Sequence, residues 1–244
     1  MSRLRNGAVG WALALLGIAL FTRLGFWQLA RAHEKQALLD AVHVVLAARD
    51  PRPLALAADP QRVHGYDWAA GDGRFPAAPA VLLDNQQRDG RAGVRAYRVF
   101  QSSDATTAPV LVELGWLPLP GNRRLPAVSR PTGPLHIAGL LAPPPSAGLV
   151  RALATPQADG SLLATTVDVP LLRRALHLPT LAPRVLKLDP AMPVGYPRNL
   201  DILPNTLPPE RHLGYAVQWF GLALTVLATA LVLTFRKRKP RPRP

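Results

Sequence analysis

Cysteine is absent from the 244 residues. Disulfides are therefore excluded, and so are the thiolate sites that hold zinc or iron–sulfur clusters. Methionine is almost as scarce, with only Met1 and Met192. A site for Cu(I), which selects thiolate and thioether ligands, has next to nothing to be built from. Acidic residues number 15 against 29 Lys and Arg, leaving a net charge of +14. That balance raises nucleic acid as a partner, yet the distribution argues against it. Six of the basic residues fall in the last nine positions. The others are scattered through a Pro- and Ala-rich middle that has no basic helix with interleaved stacking aromatics. Gly-x-Ser-x-Gly elbows, Walker loops and His-Glu-x-x-His spacings are missing too. No enzyme class suggests itself.

A missing charge is more informative. Between Leu213 and Phe235 no residue is charged, and Arg236-Lys237-Arg238-Lys239 follows at once. As a helix this run covers about 34 Å, enough to cross a hydrocarbon core of about 30 Å. A basic stop belongs on the cytoplasmic side. His212, Tyr215 and Trp219 are thereby placed at the opposite, outer boundary.

A second uncharged run, Asn6 to Thr22, follows Arg3 and Arg5. It reads as an uncleaved anchor, or as a signal peptide with a basic start and an apolar middle. The charged, amphipathic run that precedes the small residues of Ala30-Arg31-Ala32 favours the anchor. Trp11 and Trp27 then fall near the two interfaces, as aromatic belts do, and Arg23 snorkels to the headgroups. Gly10, Ala14 and Gly17 share one helix face, as do Gly214 and Gly221. Small residues let helices approach closely in lipid. These faces are either where the two anchors pack or the ordinary composition of such helices.

In the middle region, Leu38, Leu39, Val42, Val45 and Leu46 recur at three- and four-residue steps. A helix is predicted to continue outward until Asp50-Pro51-Arg52-Pro53 ends it. Strand-like runs follow at Ala80–Asp84, Val94–Gln101, Val110–Trp116, Leu135–Leu141 and Arg184–Leu188, separated by turn formers. Asp168 is positioned to cap a short helix over Pro170–His177, and Tyr196–Glu210 reads as an ordered returning loop. The predicted fold class is a membrane protein with two transmembrane α-helices flanking an α+β extramembrane domain whose sheet is mostly antiparallel. The predicted boundaries are an anchor over 1–28, the domain over 29–210, a second helix over 211–235 and a basic tail over 236–244.

His43, His64, His136 and His177 stand alone, the first and last on helix segments and the other two on predicted strands. Without partners at ligand spacing they read as surface or packed residues. His212 has company: with Tyr215, Ala216, Trp219 and Ala223 it falls within a stripe about 100° wide on a helix. Two readings fit. Aromatic rings beside two alanines offer a slot for a flat apolar ring with an imidazole to ligate a central iron, and Arg31 or Arg211 to meet carboxylates. Alternatively, His, Tyr and Trp mark the membrane interface and nothing more.

Several stretches carry a resemblance. Gly25-Phe-Trp27-Gln28-Leu-Ala-Arg31, with Lys35 beyond, resembles the Gly-x-Trp-Gln-x-x-Arg motif of the surfeit-locus-protein-one family, membrane assembly factors for haem–copper (cytochrome c) oxidase. His212-Leu-Gly-Tyr215-Ala-Val-Gln218-Trp219-Phe220 resembles that family's His-x-x-Tyr-x-x-x-Trp-aromatic motif at the start of its second transmembrane helix. Val110-Leu-Val-Glu-Leu-Gly-Trp116-Leu-Pro118 is similar to its Leu-Val-Asn-Arg-Gly-Trp-Val-Pro strand, with Glu113-Leu114 where Asn-Arg is usual. Gly73-Arg-Phe75 and Leu82-Leu-Asp84-Asn85 fit its Gly-x-Phe and Leu-Asp-Asn region. The linker around Pro143 to Gly160 has no clear counterpart.

The resemblance implies a non-enzymatic assembly factor in the inner (plasma) membrane, with both termini cytoplasmic and the main domain periplasmic. It implies haem a as cofactor, with His212 as the iron ligand and Tyr215, Trp219, Trp27 and Arg31 around it. The implied partners are the largest subunit of a haem–copper oxidase and the haem a synthesis machinery, besides the lipid bilayer. Two other roles are open: a membrane scaffold that stabilises an oxidase intermediate without binding haem, and a two-helix sensor. The nine-residue basic tail supplies no signalling segment for the latter.

Overall fold

A computed structural model describes residues 2–146, 151–202 and 207–236. Two compact units emerge. One takes helix α1 (Ser2–Ala48) up to Asp40 together with helix α3 (Pro209–Phe235); the other takes the described residues from Ala41 to Asn205. Of the basic run after α3 only Arg236 is described, and the rest of the predicted tail lies outside the described residues, as do Ala147–Val150 of the linker and Leu203–Thr206 of the returning loop.

Both helices are long and apolar enough to cross a membrane. Their outward faces are dominated by exposed Leu, Val and Phe, among them Leu13, Leu16, Leu224, Leu233 and Phe235. In water that arrangement would be costly; in hydrocarbon it is what a spanning helix presents. It is therefore consistent with membrane anchoring. In α3 the buried positions are Pro209, His212, Ala216 and Ala223, spaced three, four and seven apart along one narrow seam.

The second unit is built on nine strands: β1 (Arg52–Pro53), β2 (Asp67–Arg74), β3 (Val81–Arg88), β4 (Arg91–Ser102), β5 (Val110–Pro118), β6 (Leu135–Ala142), β7 (Ala154–Pro156), β8 (Leu162–Ala164) and β9 (Val185–Leu188). Their order is β1-β2-β6-β9-β5-β4-β3-β8-β7, and a further β2–β4 pairing at Gly73 and Arg74 closes part of the sheet on itself. The sheet is mixed, not mostly antiparallel as predicted. Parallel pairs join β1 to β2, β3 to β8 and β5 to β9. The physical reason is range. Hairpins such as β3–β4 and β4–β5 are written in local turn chemistry, whereas β9 enters between β5 and β6 only after the chain has passed through helix α2 (Val169–Ala175). Nothing local in a strand announces a neighbour so distant in sequence. The predicted cap of α2 is made: Asp168 Oδ1 accepts from the Leu171 N–H at 2.7 Å.

Strand alternation sorts the core. On β5, Val110, Val112 and Leu114 enter one cluster with Phe75, Phe100, Ile137 and Leu186. Leu111 enters the other, with Tyr97, Val99, Leu172, Leu181 and Val185. Side chains alternate with a period of two, so Glu113 must fall on the Leu111 face, inside the protein. The end of α1 belongs to this unit too, with Val42 buried against Trp68 and Leu140.

Candidate functional site

In the helical unit α1 and α3 run antiparallel, and paired contacts follow the whole length. The Trp11 indole N–H donates to Thr234 Oγ1 at 3.1 Å. Phe21 stacks on Trp219 with ring centroids 5.6 Å apart, and Phe26 meets Phe220 edge-on at 5.3 Å. Further along, His212 Nδ1 lies 2.7 Å from Gln28 Oε1, and Lys35 Nζ donates to the carbonyl of Leu207. The two membrane-edge motifs thus face each other. Gly25 explains one contact: a Cβ there would lie 2.6 Å from the Phe220 ring, so only hydrogen leaves room for that ring.

The small residues expected to bring the helices together do something else. A Cβ added at Gly7, Gly10, Gly214 or Gly221 would meet nothing within 4 Å. Gly7, Gly10 and Ala14 instead line an open groove of about 600 Å³ with Thr225, Thr229 and Ala230 opposite. Its threonines are spent internally, Thr225 and Thr229 donating to the carbonyls four residues back. The two helices pack through aromatic rings, Gly25 and the buried Ala216 and Ala223, while Gly7, Gly10, Gly214 and Gly221 stand clear of the packing.

His212 is the buried polar side chain of α3. An amide oxygen only accepts, so Nδ1 carries the proton and donates to Gln28. In the neutral ring the other nitrogen, Nε2, is then an unprotonated lone pair, and it is buried without a hydrogen-bond partner. Buried acceptors left unmet cost about 1–3 kcal/mol. A neutral imidazole whose far N–H is fixed by a second residue is also how a metal-ligating histidine is oriented.

The other expected site residues are only partly gathered. Trp219 is held against Phe21, but Tyr215 is 42% exposed and Trp27 is 50% exposed. Arg31 lies over the Trp27 ring at 6.0 Å and pairs with Glu34 at 2.9 Å. The alanine slot is not open either, since Ala216 and Ala223 are buried. Helical spacing placed these alanines correctly on the His212 seam but could not reveal that the seam is filled. Gln28, Gly25 and Phe220 are the site residues that reading one helix at a time passes over. Their signal is the motif itself, which couples positions on two helices.

Does this site fit a haem iron? The donor chemistry fits: a neutral imidazole, a fixed tautomer and an uncommitted lone pair. His212 would hold the iron, and Gln28 would hold His212.

The sheet unit carries two buried charge clusters. Asp67 is shared by Arg184, at 2.8 Å, and by Arg62. Burial alone would push the Asp67 carboxyl up, but hydrogen bonds and charge from Arg62 and Arg184 outweigh it and hold it below its usual range. Arg184, fully buried, also donates to the carbonyls of Leu56, Gly65 and Leu141. In the second cluster, register sets Lys187, Glu113 and Tyr97 in one row across β9, β5 and β4. Lys187 Nζ lies 3.0 Å and Arg95 Nη1 2.7 Å from Glu113, and the Tyr97 hydroxyl donates to it at 3.2 Å. Burial opposes ionisation of Glu113, and the two cations prevail, lowering its pKa. The departure Glu113-Leu114 is thus accommodated within the chain.

His64 lies in a turn and not on a strand; His136 is on β6, exposed, 2.9 Å from Asp72. Among the described residues no cluster of three or more His, Asp or Glu is arranged to hold a metal ion. Against known proteins, a family model described as the SURF1 family matches residues 15–224. A comparison with curated sequences finds no match. The matched span takes in both motifs and the whole sheet unit.

Proposed function

Because this chain belongs to the SURF1 family, a family of assembly factors associated with cytochrome oxidase, we propose that it binds haem a through His212 and aids its insertion into the largest oxidase subunit. The observation that carries this reading is the buried, unspent Nε2 lone pair of His212 beside Gln28. A nitrogen held neutral, oriented and free of hydrogen bonds is prepared for a metal and for little else. The bound group would supply an iron centre to be handed on, not a reaction to be catalysed.

The chain's own residues divide the remaining work. Gln28 holds the Nδ1 proton and so keeps the lone pair on Nε2. Trp27 and Tyr215 offer exposed aromatic faces, Trp219 backs the seam from Phe21, and Arg31 supplies a charge for a propionate. An apolar isoprenoid tail suits residence in lipid. Arg3 and Arg5 before the first helix and Arg236-Lys237-Arg238-Lys239 after the second support an orientation in the inner membrane with both termini cytoplasmic and the sheet unit periplasmic. Haem a synthesis would stand upstream and the oxidase subunit downstream.

One observation favours a second reading. The filled Ala216–Ala223 seam leaves no preformed slot, as expected of a scaffold that stabilises an oxidase intermediate without haem. An optical spectrum of detergent-purified protein from haem a-producing cells separates the two. The haem reading expects a haem band that disappears in His212→Ala. A parent protein without a band would overturn it, and co-purification with the oxidase subunit regardless of residue 212 would then favour the scaffold.

A further inference from the structure

A depression of about 580 Å³ opens at the C-terminal end of α2, lined by Pro170, Arg173, Arg174, His177 and Pro179. Three of these side chains carry nitrogen donors, and no carboxylate is among them. The helix is seated from beneath: Val169, Leu172 and Leu176 enter the core cluster of Tyr97 and Val185. On the other side Arg174 and His177 are exposed, and Arg173 is half-buried.

Arginines in the last turn of a helix ordinarily serve its end by bonding the final carbonyls. Here the backbone already does so. The Leu176 N–H donates to the Leu172 carbonyl, the Leu178 N–H to that of Arg173, and the His177 N–H to that of Arg174. Arg173 Nε donates to the Leu181 carbonyl at 2.8 Å, which fixes the side chain and leaves its two terminal nitrogens unbonded. Arg174 and the His177 ring have no partner among the described residues. His177 is also strained. It closes the helix with φ 55°, a left-handed conformation that glycine takes freely. Glycine would make this turn better, and the exposed imidazole adds nothing to the core. Strain of this kind gathers where a side chain serves something besides the fold.

The charge is not cancelled by a neighbour. All 15 acidic residues lie among the described ones, and none forms an ion pair with Arg173 or Arg174. Asp168, the acid nearest in the chain, is spent at the opposite end of α2 on the Leu171 N–H. Asp104 and Asp159 are held by hydroxyls of their own loops, those of Thr106, Thr107 and Ser161.

We propose that this depression binds a phosphate ester, its phosphate held by the guanidinium groups of Arg173 and Arg174 and by the His177 imidazole. One guanidinium alone satisfies both oxygens of a carboxylate. Two of them and an imidazole exceed that need, and match a phosphate, with nearly two charges and three acceptor oxygens. The depression is large enough to take in part of what the phosphate is attached to. That can be a soluble ester or a lipid headgroup. The site is independent of His212 and of the haem reading.

The test uses the full chain in phosphatidylcholine nanodiscs. Because the chain has no cysteine, Thr180→Cys supplies a single thiol for an environment-sensitive dye beside Pro179. Glycerol 3-phosphate is added at constant ionic strength, with glycerol and a capped Glu-Glu-Glu peptide as comparisons, and dye emission and heat are followed. A saturable response to glycerol 3-phosphate identifies a soluble ester. A dye shift found only in discs containing phosphatidic acid identifies a lipid headgroup. Arg174→Gln, which loses no intramolecular partner, should weaken either response about tenfold or more, and Arg124→Gln, an exposed arginine elsewhere, should leave it unchanged. His177→Gly should weaken binding about threefold while the thermal midpoint holds or rises. A histidine that only closed the helix would give the gain in stability with no loss of binding, and that result would remove His177 from the site. No response to either phosphate source, tighter binding of the peptide than of glycerol 3-phosphate, unchanged affinity in Arg174→Gln, or an equal loss in Arg124→Gln overturns the proposal.

Discussion

The two units handle buried polarity in opposite ways. In the sheet unit the two most deeply buried carboxylates are each met by two cations, Glu113 by Lys187 and Arg95, and Asp67 by Arg184 and Arg62. Of its unmet atoms, Arg95 Nε and Arg184 Nε belong to groups whose charge is answered through other nitrogens, and the Thr166 hydroxyl carries no charge. In the helical unit the buried titratable side chain is His212, and one of its two nitrogens is left as a bare lone pair. A folding core uses charge to pin register; a site keeps one bond in reserve. That contrast is what separates a structural polar cluster from a candidate ligand.

The contrast can be broken most forcefully in the sheet. Glu113→Ala leaves Lys187 and Arg95 buried without their anion, and should cost about 3–5 kcal/mol, read as a lowered denaturation midpoint of the full chain in detergent. A loss below about 1 kcal/mol would mean that the trio contributes little. Acid acts on the same groups more gently. Asp67 and Glu113 have folded pKa values below their usual range. Their stabilisation is therefore complete above the unfolded carboxylate pKa of about 4 and is lost as pH falls through the lower folded values. A pH titration of the midpoint should show a flat plateau above about pH 5 and a decline below about pH 4.

In the helical unit the expected effects are smaller. Gly25→Ala drives a methyl group into the Phe220 ring and should destabilise the helix pair by about 1–3 kcal/mol, partly restored by Phe220→Leu. Restoration by the second change is what marks the contact as steric. Gln28→Ala leaves the His212 ring free to turn and should weaken haem binding about tenfold or more, with Gln28→Glu retaining orientation. Equal haem binding in Gln28→Ala would remove Gln28 from the site. Gly10→Ala should change helix-pair stability by less than about 0.5 kcal/mol, because the groove beside it is open. A large effect there would restore the small-residue seam.

Much was legible before any coordinates. An uncharged run of fixed length, a basic stop and the positions of two motifs depend only on residues near one another in the chain. The two long apolar helices, the cap at Asp168 and the five predicted strands belong to this class, because hydrogen-bond satisfaction and side-chain periodicity are local rules. The mixed sheet was not legible, since β9 is placed by partners that lie dozens of residues away. Nor was the difference between Tyr215, which is exposed, and Ala216, which is buried one position later. A helical stripe about 100° wide includes both, and only the second helix decides which edge is covered.

By itself, the amino-acid order determined that two apolar segments bracket a strand-rich middle and that a histidine stands at the edge of the second. Tertiary structure decided that this histidine meets Gln28, that Gly25 exists for Phe220, and that Glu113 is neutralised from two neighbouring strands. The reason is range: hydropathy and turn chemistry act between residues close in sequence, whereas a hydrogen bond across 184 positions exists only once two helices lie side by side.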